Sequence, residues 1–136
     1  MWEHFEHQAD MGVRGVGNTR DEAFEQAALA LTAVVVPPES IEARESVRVT
    51  CTGDDEELLL LDWMAAVVYQ MSANRMVFGG FAVRIDESRL DAELFGEPLD
   101  LKRHQPGVEV KAATATELHV GQRPDGSWVA QCVVDV

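Results

Sequence analysis

The chain has 136 residues, 46 % of them hydrophobic, and eleven Lys and Arg against twenty-four Asp and Glu leave a formal net charge of −13. That length fits one domain, 1–136, with apolar material for a real core, and the acidic balance excludes autonomous binding to a phosphate backbone unless the few cations gather in one patch. They spread instead from Arg14 to Arg123, with only Lys102, Arg103 and His104 clustered, so a basic or metal-bearing protein partner fits better than a nucleic acid.

Met1-Trp2-Glu3-His4 opens acidic and polar, without the positive region and apolar run of a secretory signal. No apolar run, Leu58 to Leu61 among them, approaches the ~20 residues that span a membrane, so a soluble, cytoplasmic protein is expected. Trp2 to His7 alternates bulky and charged residues and predicts a first strand, and Gly12 to Gly17 predicts a second. The acidic turn between them, Glu6 to Gly12, holds Asp10, which either caps its own backbone or offers oxygens to a hard cation or a partner.

Thr19-Arg20-Asp21-Glu22 has the spacing of a capping box and predicts a helix start. Ala23, Phe24, Ala27, Ala28 and Leu31 give that helix one apolar face, and it closes near Ala33, before Pro37-Pro38. Val47 to Thr52 alternates as a third strand. Asp54 and Glu57 repeat the capping-box spacing, so the acidic run there starts a helix rather than a metal cluster. That helix, through Ser72, is apolar on most of its circumference, which makes Asp62 the most conspicuous candidate for a buried carboxylate: paired with a nearby donor, pointed at the one wet edge of the helix, or catalytic.

Met76 to Asp86 predicts a strand with a bulge at Gly79-Gly80, paired through the turn Asp86-Glu87-Ser88 with Arg89 to Phe95. Gly96 to Asp100 leaves regular structure, and Pro106-Gly107 marks another turn. Glu109 to Thr116 and Glu117 to Gly121 read as extended. Arg123-Pro124-Asp125-Gly126 predicts a hairpin into a closing strand, Ser127 to Val134. The sum is an α+β domain: two helices packed on a mostly antiparallel sheet of seven or eight strands.

Most catalytic motifs are absent: no P-loop, no GxGxxG, no HExxH and no GxSxG. Cys51 and Cys132 stand singly, without CxxC spacing, and read as half-buried strand thiols. His4, His7 and Asp10 repeat every three residues, but strand side chains three apart face opposite ways, which disfavours zinc. Asp135 and the carboxylate of Val136 place two anionic groups side by side at the C-terminus. If the closing strand lies beside the first, Asp135 can approach Asp10, and such oxygens suit calcium, magnesium or manganese.

Trp2-Glu3-His4-Phe5-Glu6-His7-Gln8-Ala9-Asp10-Met11-Gly12, Glu22-Ala23-Phe24, Leu60-Leu61-Asp62-Trp63, Gly96-Glu97-Pro98, Glu109-Val110-Lys111-Ala112 and Val134-Asp135-Val136 occur in one order along nearly the whole chain, and together they resemble the archease family. The resemblance implies an accessory protein, not an enzyme, acting on the tRNA-splicing RNA ligase that joins 2′,3′-cyclic-phosphate or 3′-phosphate and 5′-hydroxyl ends. It implies promotion of guanylylation of the ligase by GTP, hence repeated turnover, with GTP met only by way of the ligase. It also implies a divalent-metal site at Asp10, Asp135 and Val136, calcium first among its candidates and magnesium or manganese next. His7 becomes a supporting residue, and Lys111 is either a solvated strand lysine or a partner-facing cation. Gln8 stands where the family has threonine, and Ala115-Thr116 where it often has an aromatic residue and then a histidine. Two alternatives remain: a small metal-dependent phosphoester hydrolase with His7 or Asp62 as base, and a chaperone-like binding module.

Overall fold

A computed structural model describes residues 1–136. Strands β1 (Trp2–His7) and β2 (Asp10–Gly17) form a hairpin closed by Gln8-Ala9, with Gln8 at φ 53°. Asp10 is thus the first residue of β2 rather than part of the turn. The closing strand β7 (Trp128–Asp135) lies against β2, not against β1, and pairs on its other side with β6 (Ala112–Gln122). The resulting sheet has the order β1-β2-β7-β6. A second antiparallel sheet, β3-β5-β4, comprises β3 (Glu45–Thr52), β4 (Met76–Asp86) and β5 (Arg89–Pro98).

Between the sheets run α1 (Arg20–Val35) and α2 (Glu56–Ser72), each packed against strands of both. Thr19 Oγ1 accepts from the Glu22 N–H at 3.1 Å, the predicted cap. For α2 the cap is Asp55, not Asp54: its Oδ1 accepts from Glu57 and Leu58 N–H at 2.9 and 3.0 Å. The Glu57 carboxylate is drawn away to the Val120 N–H of β6, at 3.3 Å. Trp63, fully buried on α2, donates its indole N–H to Phe24 O of α1 at 3.1 Å, so the two helices share a satisfied polar contact inside the core.

Alternation along β2 decides what faces the helices. Met11, Val13 and Gly15 point inward, with Val134, Cys132 and Ala130 opposite them on β7. At Gly15 a side chain would lie 2.2 Å from the Ala23 carbonyl oxygen and the Ala27 nitrogen, so α1 rests directly on the strand backbone there. The free edge of β4 is closed by α1 itself, whose Glu25 and Asp21 carboxylates accept from Val83 and Ile85 N–H at 2.8 and 3.3 Å. The bulge in β4 falls between Phe78 and Gly80, where the glycine pair predicts it.

Three features depart from the sequence expectation. The antiparallel strands form two sheets instead of one. Strand β5 runs on to Pro98, through most of Gly96–Asp100, the stretch expected to be irregular, and two short helices, α3 (Leu101–His104) and a 3-10 turn at Pro38–Ser40, add to the two expected. Four residues leave no apolar periodicity to read, and Asp100 starts α3 by capping Lys102 and Arg103 N–H. No helix is long and apolar enough to cross a membrane.

Candidate metal centre

The recorded pairs between β2 and β7 run from Gly17–Trp128 to Met11–Val134; one step further, the register sets Asp10 opposite Asp135. Continuing outward, His7 pairs with Asp10 and Ala112 with Asp135, so one row crosses the sheet as His7, Asp10, Asp135, Ala112. Directly opposed residues of an antiparallel pair project to the same face, with Cβ atoms about 5 Å apart. That face is the one turned away from α1, because the neighbours Met11 and Val134 point inward. Two carboxylates from opposite ends of the sequence therefore stand side by side on the outer face, Asp10 half-buried and Asp135 exposed.

The chain end is held in place. Val136 packs its side chain against the core, in step with Val134, which fixes the terminal carboxylate next to Asp135. Lys111 N–H donates to Asp135 O at 2.8 Å, tying the start of β6 to the same point, and the lysine side chain is exposed. His4 lies on the other face, its Nε2 2.7 Å from Ala30 O of α1, so the histidines do not converge. No group of three or more His, Cys, Asp and Glu side chains is placed to hold a metal ion by itself. Two carboxylates with a terminal one suit a hard cation that keeps positions for water or a partner's oxygens, and they do not suit a closed zinc site.

The next row on this face is built around Gly12. A Cβ there would sit 2.3 to 2.4 Å from three atoms of the Phe5 ring, so the ring lies flat across the glycine. The Arg14 guanidinium stacks 4.6 Å from the ring centroid and is held by Glu3 Oε1 and Gln131 Oε1, both at 2.8 Å. Phe5 is thus clamped beside the carboxylate row, a role for Gly12 that turn chemistry alone does not suggest.

Asp62 is exposed at the wet edge of α2, so of the readings open to it the buried pair is the one that fails. Leu58, Asp62, Ala65 and Tyr69 form one exposed strip along α2, since the helix is covered on its other sides only. The buried carboxylate is Glu97, at the end of β5. Its Oε2 accepts from Glu42 N–H at 2.7 Å and from His104 Nε2 at 3.0 Å, and its Oε1 meets the Arg103 guanidinium, with Arg44 at 3.8 Å. His104 Nδ1 accepts from Asp100 N–H, so Nε2 carries the proton it donates. Arg103 above all holds the Glu97 pKa down, at about 2, against the opposing effect of burial. This network fastens α3 to the sheet. The pairing of Glu97 with His104 is what sequence reasoning missed; a Glu between Gly96 and Pro98 and a His in a four-residue helix carry no periodic signal.

A sequence profile of the archease protein family matches residues 2–136. Protein archease of Pyrococcus furiosus is 40 % identical over 140 residues, covering 100 % of this chain and 99 % of the relative. Protein archease of Methanosarcina barkeri is 34 % identical over 143 residues, covering 100 % and 96 %. Among solved structures, protein 1598 of Methanobacterium thermoautotrophicum superposes with a TM-score of 0.88 at 32 % identity, covering 99 % of this chain and 98 % of that one. A Thermotoga maritima structure described as an archease and possible chaperone has a TM-score of 0.68 at 18 % identity, covering 100 % and 98 %, which shows likeness of fold.

Proposed function

The chain belongs to the archease family, and from that premise we propose that it is a non-enzymatic activator of a tRNA-splicing RNA ligase. It promotes guanylylation of the ligase by GTP, and so its repeated turnover, through a divalent-metal centre formed by Asp10, Asp135 and Val136. The observation that supports this reading is the register that sets Asp10 opposite Asp135 on the outer face, with Val136 anchored beside them.

The chain's own contribution is to hold acidic oxygens on a rigid sheet, facing out. β2 and β7 fix the spacing of the two aspartates, the hairpin with β1 supports Asp10, and Lys111 N–H pins the Asp135 main chain. When bound, a divalent ion, with calcium, magnesium and manganese as candidates, supplies positive charge that offsets the charge of a triphosphate. An outward-facing centre can meet a partner's nucleotide, whereas a hydrolase would have to enclose its own substrate. On the outer face His7 alone shares the carboxylate row as a candidate base, and Asp62 lies on a separate helix strip.

The test mixes the purified chain with its cognate RNA ligase, GTP and manganese and follows the guanylylated fraction of the ligase with time. The fraction should rise faster than with ligase alone. No acceleration at saturating chain would sink the proposal, and phosphoester turnover by the chain alone would replace it with the hydrolase reading.

A further inference from the structure

The end of the molecule that carries Asp10 and Asp135 also carries an apolar cavity. Helix α1 runs antiparallel to β2: Gly17 lies against Glu22 and Gly15 against Ala23 and Ala27, so Asp10, at the far end of the strand, is level with the last turn of the helix at Val35. Val35 lines a cavity of about 280 Å³ together with Met71, Met76, Leu99, Leu101 and Val108. The segment 106–110 walls it. Gly107 N–H donates to Val35 O at 3.0 Å, and Lys111 N–H donates to Asp135 O at 2.8 Å. One stretch of backbone thus joins the wall of the cavity to the oxygen centre.

A cavity of roughly 150 Å³ already holds benzene, so this one has room for a Leu, Met or Phe side chain. Its mouth is rimmed by Leu101, 61 % exposed, and Val108, 48 % exposed. That apolar surface extends outside the cavity, where a small free ligand would leave it wet and a protein face would cover it. Arg75 and Glu109 both line the mouth, and Lys102 and Lys111 adjoin it; none of the three cations forms an ion pair. Against the single carboxylate of Glu109 they leave the mouth locally cationic on a chain of net charge −13. Two copies of so acidic a chain repel one another, whereas a segment with an apolar side chain beside a carboxylate complements both the rim and the cations.

We propose that this cavity is the anchor pocket for the RNA ligase. One bulky apolar side chain of the ligase, next to an acidic residue, seats between Leu101 and Val108 while the oxygen centre at the same end meets the nucleotide site. The inference rests on the reading of the chain as a ligase activator.

Leu101→Glu and Val108→Glu alter exposed positions that the fold tolerates. Each is titrated calorimetrically against the purified ligase beside the wild type, with thermal unfolding as the check on folding. Both should weaken ligase binding at least about tenfold, as loss of one buried anchor does. Arg75→Glu should weaken it a few-fold, and the manganese affinity of the isolated chain should stay the same in all three. Unchanged ligase affinity in the folded Leu101→Glu and Val108→Glu variants would overturn the pocket and leave the activator reading standing. Failure of the wild type to bind the ligase would overturn both. A dimer in sedimentation that the same substitutions abolish would give the pocket to a second copy and equally overturn the inference.

Discussion

A methyl group at Gly12 has no room while the Phe5 ring stays in place, since three ring atoms lie 2.3 to 2.4 Å from where it would sit. Gly12→Ala must therefore push the ring outward. Overpacking of this kind costs about 1–3 kcal/mol, and a displaced ring also loses its stack with Arg14, worth roughly 0.5–1 kcal/mol. A total of about 2–3 kcal/mol lowers the Tm of a domain this size by roughly 8–12 °C. Phe5→Ala alone, at a half-buried position, should cost about 2 kcal/mol. The informative measurement is the double variant. Without the ring the methyl group fits, so Gly12→Ala in the Phe5→Ala background should be nearly neutral, a coupling of about 2 kcal/mol in urea unfolding. Equal costs for Gly12→Ala in both backgrounds would refute the clamp and return Gly12 to a purely conformational role.

Other measurements bear on the rest of the structure. With Arg103 holding Glu97 at about 2, below its ordinary 4.5, the carboxylate stabilises the fold fully above the higher value and loses that contribution as pH falls toward the lower one. Glu97→Gln should cost about 3 kcal/mol at neutral pH, and its unfolding free energy should fall less steeply than that of the wild type between those values; parallel pH profiles would contradict the network. Burial pushes the Cys132 thiol up to about 12, and burial followed by the nearby Asp62 charge raises that of Cys51. Cys132 should not react with a thiol reagent at pH 8 until denaturant is added, whereas half-exposed Cys51 should label slowly in the native chain; rapid labelling of Cys132 would argue against the packing of β7. Residues appended after Val136 should weaken manganese or calcium binding in calorimetry, and equal affinity would remove the terminal carboxylate from the centre.

Much of the fold is legible in local pattern. Period-two alternation marks the strands, Thr19 marks a helix start, and Gly79-Gly80 marks the bulge, because each of these signals depends on neighbours in sequence. Features that depend on distant neighbours are not legible. Nothing in the chain order says that β7 pairs with β2 instead of β1, yet that pairing is what sets Asp135 opposite Asp10. Asp54 and Asp55 offer nearly equal capping geometry, and the choice of Asp55 goes with a Glu57 carboxylate engaged by β6. The nearly continuous apolar circumference of α2 leaves Asp62 open between a buried pair and a wet edge, and only the packing decides for the edge. The resemblance of Trp2 to Gly12 and of Val134 to Val136 to one family links the two halves of the candidate centre before any geometry does.

The most direct test compares wild type, Asp10→Asn and Asp135→Asn as activators of the purified ligase with GTP and manganese, scoring the guanylylated fraction per unit time. The wild type should accelerate the reaction, and each nearly isosteric variant, folded by thermal unfolding, should lose most of that acceleration together with metal affinity. Full acceleration by both variants would contradict the claim that the two aspartates form the working centre.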